Sequence, residues 1–500
     1  MPDTKISPES NSVIAALKSP RLLTKEVLAG LVVALALIPE AIAFSLIAGV
    51  DPKVGLYSSF IMAMSIAFIG GRPAMITAAT GAIALVIAPV ARDYGFDYFI
   101  ATVILAGIFQ ITLAIVGFAR LMRFIPRSVM IGFVNSLAIL IFLAQIPQLI
   151  GVPWAVYPLV AFGILVMVLM PRITKVIPAP LVAILVTTAI ALTMSLNVPT
   201  VGDEGELPES LPEFFIPNIP FTWEAFTIIA PFALAMALVG LLETLLTAKL
   251  VDDITDTHSG KTRESLGQGG ANILSGLFGG MGGCAMIGQT MINVKASGAR
   301  TRISTFMAGF FLLILILTLG DFVSIIPMAA LVAVMIMVSV ATFNWHSVQL
   351  STLTRMPKSE NFVMLITVAV VVFTHNLAIG VIVGVITAMI MFARRVAHFA
   401  NLTRTITGDG DLATANYKVS GELFFASSND IYSQFSYTAD PKNVVIDMSE
   451  SHIWDASTVA ALDSILTKYE SLGKTVEIIG LNETSALFQN KLSGNLGEGH

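Results

Sequence analysis

Residues 279–302 carry the pattern with the clearest chemical meaning in this chain. The stretch reads GGMGGCAMIGQTMINVKASGARTR, with glycines crowded at its start and Arg300 and Arg302 at its end. Glycines at this density disfavour a regular helix, whereas the residues from Gly288 onward suit a short helix that ends in basic residues. A half-length helix inside a hydrophobic region leaves its first N–H groups free, and such an end attracts an anion. The pattern therefore predicts one half of an anion-binding site.

A second interrupted segment lies in the first half of the chain, after Arg72 and Pro73. Residues 74–80 are small and tolerate a strand, and residues 81–92 suit a short helix. We expect the two helix N-termini to meet near the membrane midplane from opposite directions, so that two positive dipole ends face one spot without a buried Lys or Arg. The alternative is that the glycines only allow close helix packing.

Two acids lie deep in apolar runs, Glu40 in IPEAIAF and Glu243 in VGLLETLLTAK. Each precedes the broken helix of its own half by about 40 residues, as an inverted repeat would place them. An acid at this depth is expensive and usually functional, and one that carries a proton beside an anion site suggests proton coupling. Glu243, next to the hydroxyls of Thr244 and Thr247, could instead bind a sodium ion. The alternative is a protonated acid that bonds a backbone carbonyl.

Other chemistries find little support. One group resembles a metal site in composition but lies beside Lys261 and Arg263, so we expect a solvated surface there; it comprises Asp252, Asp253, Asp256 and His258. Cys284 is the only cysteine, which excludes an internal disulfide. The sequence contains no Walker A motif, Rossmann glycine pattern or nucleophile elbow. We therefore expect no enzyme activity, no catalytic residues, no metal and no cofactor beyond a coupling H⁺ or Na⁺.

The composition of the chain indicates the class of fold that positions these residues. The chain has 500 residues, of which 55% are hydrophobic and only 12% are charged, against about 25% charged in a soluble domain. Apolar runs of spanning length recur from about residue 26 to 393, so we expect a polytopic α-helical membrane protein. The first helix should cover residues 26–47 with a break near Pro39. With this helix included, we expect roughly 14 spans, seven on each side of an acidic loop at 197–224, and an odd number per half inverts the second half relative to the first.

Charge and composition divide the chain further. Lys and Arg gather in alternate loops, so the positive-inside rule places the N-terminus and the tail in the cytoplasm. We expect an N-terminal segment at 1–25 and a transport domain at 26–396, with repeats at about 26–200 and 224–396. The net charge of −5 gives no support for nucleic-acid binding.

The tail at 410–495 alternates strand and helix patterns, which predicts a small α/β domain. Strands are expected at 417–425, 442–448 and 474–480, and helices at 455–470 and 483–491. Ser457 lies near the start of the first of these helices. Stabilising that helix start is the preferred role for Ser457, and a regulatory phosphorylation site is the alternative.

Three segments resemble the SulP/SLC26 family of anion transporters with a C-terminal STAS domain, in the family's order. They are PEAIAFSLIAGVDPKVGLYSSF at 39–60, SGLFGGMGGCAMIGQTMINVKASGARTRIS at 275–304, and the tail with SGELFFASSNDI at 420–431 and VVIDMSESHIWDASTVAALDSI at 444–465. The resemblance implies 14 segments in two inverted seven-segment repeats, divided into a core domain and a gate domain, plus a cytoplasmic STAS domain. It also implies a homodimer in a bacterial inner membrane and a possible cytoplasmic partner for the STAS domain.

The resemblance further places the anion between the third and tenth segments. Mapped onto this chain, the implied site residues are Thr80, Gly81, Ala82, Ile287, Gly288, Gln289 and Thr290, completed by Glu40, Phe44 and Glu243 from the first and eighth segments. The implied coupling residues are Glu40, Glu243 and Thr247. The chain departs from the family in three places. Many animal members have glutamine at the position of Glu40, many members have arginine at the position of Gln289, and the third segment lacks the usual Gly-Pro.

We therefore expect a secondary active transporter of small anions, coupled to H⁺ or Na⁺ and working by elevator-like alternating access. Bicarbonate, sulfate, chloride and small dicarboxylates are the candidate substrates, since dipole ends accept any small anion that fits. The alternatives are an uncoupled anion exchanger or a passive channel, and a signalling scaffold anchored in the membrane.

Overall fold

The computed structural model of the chain describes residues 12–121, 124–173, 178–397, 401–410 and 413–494. The first 11 residues of the expected N-terminal segment, and residue 495 at the expected end of the tail domain, lie outside these ranges. The chain forms two compact units, with the boundary after Val385.

The first half of the larger unit contains seven membrane segments, one of them broken. A short helix, α1 (Val13–Lys18), precedes them. The segments are α2 (Pro20–Ala48), α3 (Pro52–Ile69), β1 (Thr77–Ala78) with α4 (Gly81–Tyr94), α5 (Phe96–Val116) followed by the short α6 (Phe118–Leu121), α7 (Arg127–Leu143), α8 (Val156–Ile173) and α9 (Ala179–Thr193).

The second half repeats this order after the acidic loop. Its elements are α10 (Trp223–Thr255), α11 (Lys261–Leu277), β2 (Cys284–Ala285) with α12 (Ile287–Met291), α13 (Arg302–Thr318), the short α14 (Gly320–Ser324), α15 (Met328–Thr342), the short α16 (Leu350–Arg355), α17 (Lys358–Thr374) and α18 (Leu377–Ala397). Among the described residues, seven helices are long and apolar enough to cross a membrane by length and composition. The other segments are shorter or broken, and the predicted arrangement of seven plus seven is confirmed.

The prediction of a break near Pro39 is wrong. Helix α2 runs continuously from Pro20 to Ala48 with Pro39 inside it. Proline removes one backbone hydrogen bond and can kink a helix without ending it. The apolar residues on both sides keep the helix packed, and most of α2 around Pro39 is buried.

The transport unit separates into two packing groups. Helices α2, α3, α5, α10, α11 and α13 pack together around the broken segments, whereas α7, α8, α9, α15 and α17 pack with one another. These groups are the core and gate domains. Helices α5 and α11 approach especially closely in the core, because a Cβ on Gly107 would lie 2.6 Å from the Gly269 carbonyl oxygen, and one on Gly269 would lie 2.6 Å from that of Gly107. Only glycine at both positions permits this approach.

The acidic loop is fastened first to the gate domain. The backbone N–H of Val201 donates to the carbonyl oxygen of Ile326 over 2.9 Å, and that of Met328 donates to the carbonyl oxygen of Pro199 over 2.8 Å. These bonds tie the start of the loop to the start of α15, so this part of the loop belongs structurally to the gate.

The same loop is then fastened to the core domain. The backbone N–H of Lys53, on α3, donates to the carbonyl oxygen of Glu206 over 3.1 Å, and that of Phe215 donates to the carbonyl oxygen of Leu277, at the end of α11, over 2.7 Å. Only the four residues 202–205 lie between Val201 and Glu206, the nearest points of the two attachments.

The smaller unit is an α/β domain. Its sheet has the order β3 (Asn401–Thr407), β4 (Thr414–Leu423), β5 (Asn443–Ile453), β6 (Thr475–Ile479), with β3 antiparallel to β4 and the other pairs parallel. Helices α19 (Phe425–Gln434), α20 (Ala456–Ser471) and α21 (Glu483–Leu492) accompany it. The sequence predicted β4, β5, β6, α20 and α21 but missed β3, which precedes the expected domain start at 410, and α19. Both are rich in polar residues and lack a clear period.

Candidate functional site

The two broken segments meet as a pair of short strands. Strands β1 and β2 are antiparallel, with Thr77 opposite Ala285 and Ala78 opposite Cys284. The strands come this close because Gly283 has no side chain, since a Cβ there would lie 1.9 Å from the carbonyl oxygen of Ala78. The glycine-rich start of the second segment is therefore a requirement of strand contact.

A helix starts directly after each strand. Helix α4 begins at Gly81 and α12 begins at Ile287, which confirms that both segments are broken and that helix resumes near the predicted positions. Neither N-terminus is capped by a side chain. Helix α12 passes into a π-helical turn at Ile292–Ala296, a feature that often occurs at functional sites.

Side chains from other elements bond the extended backbone of the first segment. The N–H of Ile76 donates to the Thr290 hydroxyl over 3.0 Å, and the N–H of Ala79 donates to the Ser59 hydroxyl over 3.2 Å. A buried backbone group without a partner would be costly, so these hydroxyls stabilise the break. Thr290, predicted to bind substrate, lies behind the cavity wall in this supporting role.

Polar side chains of α10 and α11 support the second segment. Asn272 accepts from the N–H of Gly283 over 2.8 Å, Gln268 donates to the carbonyl oxygen of Gly283 over 2.8 Å, and Thr244 accepts from the N–H of Ala285 over 3.2 Å. Sequence reasoning named Thr244 only beside a possible sodium ion, and it missed Gln268 and Asn272. The signal that could have found them is the four-residue spacing of buried amides on one face of α11.

A cavity of about 360 Å³ lies where the two helix starts meet. Every predicted substrate-binding residue except Thr290 lines it, from both halves of the core domain. These residues are Glu40, Phe44, Thr80, Gly81, Ala82, Glu243, Ile287, Gly288 and Gln289. The structure thus brings together side chains that are far apart in the sequence.

The gate domain supplies the opposite wall of this cavity, and it is largely apolar. The wall consists of Phe133, Val134, Leu137 and Ile141 from α7 and Val338, Ala341 and Thr342 from α15. Sequence reasoning named none of these residues, because their runs look like any other apolar membrane helix.

Two acids, Glu40 and Glu243, are the ionisable side chains that line this cavity. Glu40 is 7% exposed and Glu243 is 9% exposed. The Glu40 side chain forms a hydrogen bond with Gln289, and Glu243 Oε2 accepts from the thiol of Cys284 over 2.9 Å. Among the described residues that line the cavity there is no Lys or Arg. The local positive potential therefore comes from the two helix starts.

Thr247, predicted to help in ion coupling, bonds the backbone. Its hydroxyl lies 2.8 Å from the carbonyl oxygen of Glu243, one turn earlier on α10, and 3.5 Å from that of Ala285. The Thr247 side chain does not line the cavity, although Glu243, four residues earlier on α10, does.

The expected solvated surface is confirmed for Asp253, Asp256 and His258, which are exposed, and is wrong for Asp252. Asp252 accepts from the guanidinium of Arg72 over 2.9 Å and from the ammonium of Lys261 over 2.7 Å, and only 11% of its side chain is exposed. Its partner Arg72 sits in the turn that precedes the first broken segment, so the ion pairs fasten that turn to the end of α10. Within the described part of the chain, no group of three or more His, Cys, Asp or Glu side chains could hold a metal ion.

The comparisons with known proteins agree with this architecture. The model of the sulfate permease family matches residues 23–162 and 152–367. The chain belongs to this family. The family model of the STAS domain matches residues 407–489, so the smaller unit is a STAS domain.

Named relatives of this sulfate permease family member are transporters. The putative sulfate transporter YbaR of Bacillus subtilis is 51% identical over 469 residues, which is 94% of this chain and 97% of YbaR. The bicarbonate transporter BicA of a Picosynechococcus strain is 25% identical, over 91% of this chain and 88% of BicA. The chain is accordingly a membrane transport protein and not an enzyme.

A solved structure shows the same fold. The murine Slc26a9 anion transporter, described in an inward-facing state, superposes with a TM-score of 0.80 at 17% sequence identity and covers 95% of this chain and 88% of its own. The predicted SulP/SLC26 fold with a STAS domain is confirmed.

In the STAS domain, Ser457 is exposed at the second position of α20. The capping group of this helix is the carboxylate of Asp455, which accepts from the N–H of Thr458 over 3.0 Å. Capping therefore does not require Ser457, and its phosphorylation stays a prediction.

Proposed function

We propose that this protein is a secondary active transporter that carries a small anion through the cavity between its core and gate domains, coupled to H⁺ or Na⁺. The supporting observation is the composition of the cavity. Two uncapped helix N-termini and two buried carboxylates face it, and no cationic side chain of the described lining does.

Electrostatics favours binding of the anion together with a cation. Each helix N-terminus carries the equivalent of about half a positive charge, so the two together suit about one negative charge. An ionised Glu40 or Glu243 would cancel this potential in a region of low dielectric. A proton or a sodium ion on the carboxylates removes the conflict, so the anion binds best when the coupling ion is present. Cotransport follows from this mutual dependence.

The candidate substrates are bicarbonate, sulfate, chloride and small dicarboxylates. The relatives named as a putative sulfate transporter and a bicarbonate transporter support this range. We propose Glu40, Phe44, Thr80, Gly81, Ala82, Glu243, Ile287, Gly288 and Gln289 as the binding surface, with Thr290 and Thr247 supporting it from behind.

Transport requires that the cavity open to each side of the membrane in turn. The apolar gate wall gives the core a surface along which it can slide with the anion enclosed, which suits elevator-like movement. We further propose a homodimer in a bacterial inner membrane, with residues 1–25 and the STAS domain at about 410–495 in the cytoplasm and the transport domain at 26–396 in the bilayer. The STAS domain would receive a cytoplasmic regulatory partner.

A flux assay in liposomes tests the proposal. Purified full-length protein is reconstituted, and uptake of radiolabelled bicarbonate, sulfate, chloride and a small dicarboxylate is measured under an imposed inward proton gradient, an inward sodium gradient or neither. We expect accumulation of at least one anion against its concentration gradient in one of the imposed gradients. Flux that is indifferent to both gradients and only dissipates the anion gradient would identify an exchanger or a channel instead.

A further inference from the structure

We propose that Cys284 is a positioning residue for transport, whose thiol holds the Glu243 carboxylate in place and connects it to the tip of the first half-helix. This inference rests on the proposed function, because it gives Glu243 a role in coupling. It also gives a role to the only cysteine of the chain, which the sequence patterns left without one.

The contacts of the thiol carry this proposal. Cys284 Sγ lies 2.9 Å from Glu243 Oε2 and 3.1 Å from the hydroxyl oxygen of Thr80, and the cysteine is 0% exposed. Glu243 and Thr80 both line the cavity, whereas Cys284 lies directly behind them. The thiol is therefore a buried connection between two groups that face the substrate space.

The number of hydrogens that each group can donate fixes the direction of these two hydrogen bonds. A thiol has a single hydrogen, and an ionised carboxylate can only accept. When Glu243 is ionised the thiol donates to Oε2, so the Thr80 hydroxyl must donate to the sulfur. The chain of bonds then runs from Thr80 through Cys284 to Glu243. It engages Oε2 and so restricts the directions from which the carboxylate can receive a proton or a cation.

The two ends of this chain belong to different parts of the site. Thr80 is the N-cap residue of α4, at the tip of the first half-helix, and Glu243 lies on α10, in the other repeat. Cys284 itself lies in β2, opposite Ala78. The acid and the helix tip are thus held in one arrangement by a residue that does not itself line the cavity.

A double-mutant cycle tests the proposal. Cys284→Ala and Cys284→Ser are made in the full-length protein, each with and without Glu243→Gln. The readouts are KM and maximal rate for radiolabelled bicarbonate or sulfate, whichever the natural protein takes up, in counterflow, which needs no ion gradient. With Glu243 present, we expect Cys284→Ala to raise KM about tenfold, because a carboxylate that the thiol no longer holds can turn toward the helix tip and oppose the anion. Cys284→Ser, which keeps a donor, should stay within about threefold of the natural protein.

The cycle separates positioning from simple packing. In the Glu243→Gln background the thiol can bond only a neutral amide, so we expect Cys284→Ala to change KM by less than about threefold there. An equal rise of KM in both backgrounds, or an equal effect of Ala and Ser, would overturn the proposal. Ser65→Ala is the control, because the Ser65 hydroxyl bonds only within α3, to Ile61 and Met62, and should leave KM unaltered in both backgrounds.

A binding measurement keeps the two proposals distinguishable. The thermal shift caused by bicarbonate or sulfate is recorded for the same variants in detergent. If the natural protein shows no uptake, the proposed transport function fails, and the cycle is read from the anion concentration that gives half of the shift. If uptake is present but the cycle is additive, only the role of Cys284 fails. Should the Ala variant unfold, Cys284→Val, which fills the space of the thiol but has no donor, replaces it in both backgrounds, and a change in KM greater than about threefold that persists without Glu243 contradicts the proposal.

Discussion

Both broken segments line the cavity, but they contribute unequally to its chemistry. The first leads into a regular helix of 14 residues and brings no ionisable side chain to the cavity wall. The second leads into a helix of 5 residues that turns π-helical. Its side chains contact both buried acids, through Gln289 at Glu40 and Cys284 at Glu243. The first segment therefore serves mainly as a fixed dipole, and the second connects the dipoles to the acids.

The hydrogen bonds that hold the two segments in place also differ. Hydroxyl groups satisfy the N–H groups of Ile76 and Ala79 in the first segment. The second is held by the hydroxyl of Thr244, which accepts from the N–H of Ala285, and by the amides of Gln268 and Asn272, which bond both polar groups of Gly283. Two amide side chains thus converge on one residue of the second segment, whereas each of these N–H groups of the first segment is bonded by one hydroxyl.

The largest effect should come from separating the segments. Gly283→Ala would place a Cβ 1.9 Å from the Ala78 carbonyl oxygen, which is backbone and cannot turn aside. We expect a loss of stability of more than about 4 kcal/mol and no transport. Thermal unfolding in detergent checks this. Gly288→Ala is the matched control, since a Cβ there meets nothing within 4 Å and should leave the unfolding temperature within about 2 °C.

Filling the cavity from the second segment should abolish uptake without unfolding. Gly288 lines the cavity and has open space around it, so Gly288→Leu directs an apolar side chain into the anion site. We expect uptake to fall at least about 100-fold, because the anion loses access to the helix tips, with the unfolding temperature preserved. Normal uptake in liposomes by this variant would remove the site from this cavity.

Glu40→Gln tests whether the contact between the second segment and the first acid serves coupling. The amide keeps the size of the side chain and its ability to bond Gln289 but cannot exchange a proton. We expect gradient-driven accumulation to fall about tenfold or more, while anion binding, read by thermal shift, is partly retained. Accumulation in the variant that keeps the pH dependence of the natural protein would argue against a proton role for Glu40.

The smallest effect should come from the support of the first segment. Thr290→Val keeps the shape of the side chain and removes the oxygen that accepts from the N–H of Ile76. We expect a loss of about 1–3 kcal/mol of stability from one unsatisfied buried group, with KM little changed. Asn272→Ala, which removes both of its bonds to Gly283, should cost more stability and raise KM as well. Equal effects of the two changes would mean that the segments are held alike.

Much of this fold could be predicted, because it depends on strong local signals. Runs of apolar residues gave the segments, and the glycines at 279–283 and the small residues at 74–80 marked the breaks. The depth of Glu40 and Glu243 followed from their apolar neighbours. What could not be predicted depends on the meeting of distant residues. The contact of Cys284 with Glu243 requires the register of β1 against β2, and the gate wall of α7 and α15 requires the packing of two domains.

The two attachments of the acidic loop limit how far the core domain can move relative to the gate domain in one transport cycle. The loop is bonded to the gate through Val201 and to the core through Glu206, and a fully extended chain spans at most about 3.6 Å per residue. The five Cα–Cα steps from Val201 to Glu206 therefore let these two attachment points lie at most about 18 Å apart. If the core must move farther than this relative to the gate, one end of the loop has to detach from its domain. The loop would then act as a tether whose detachment limits the rate of the transport cycle.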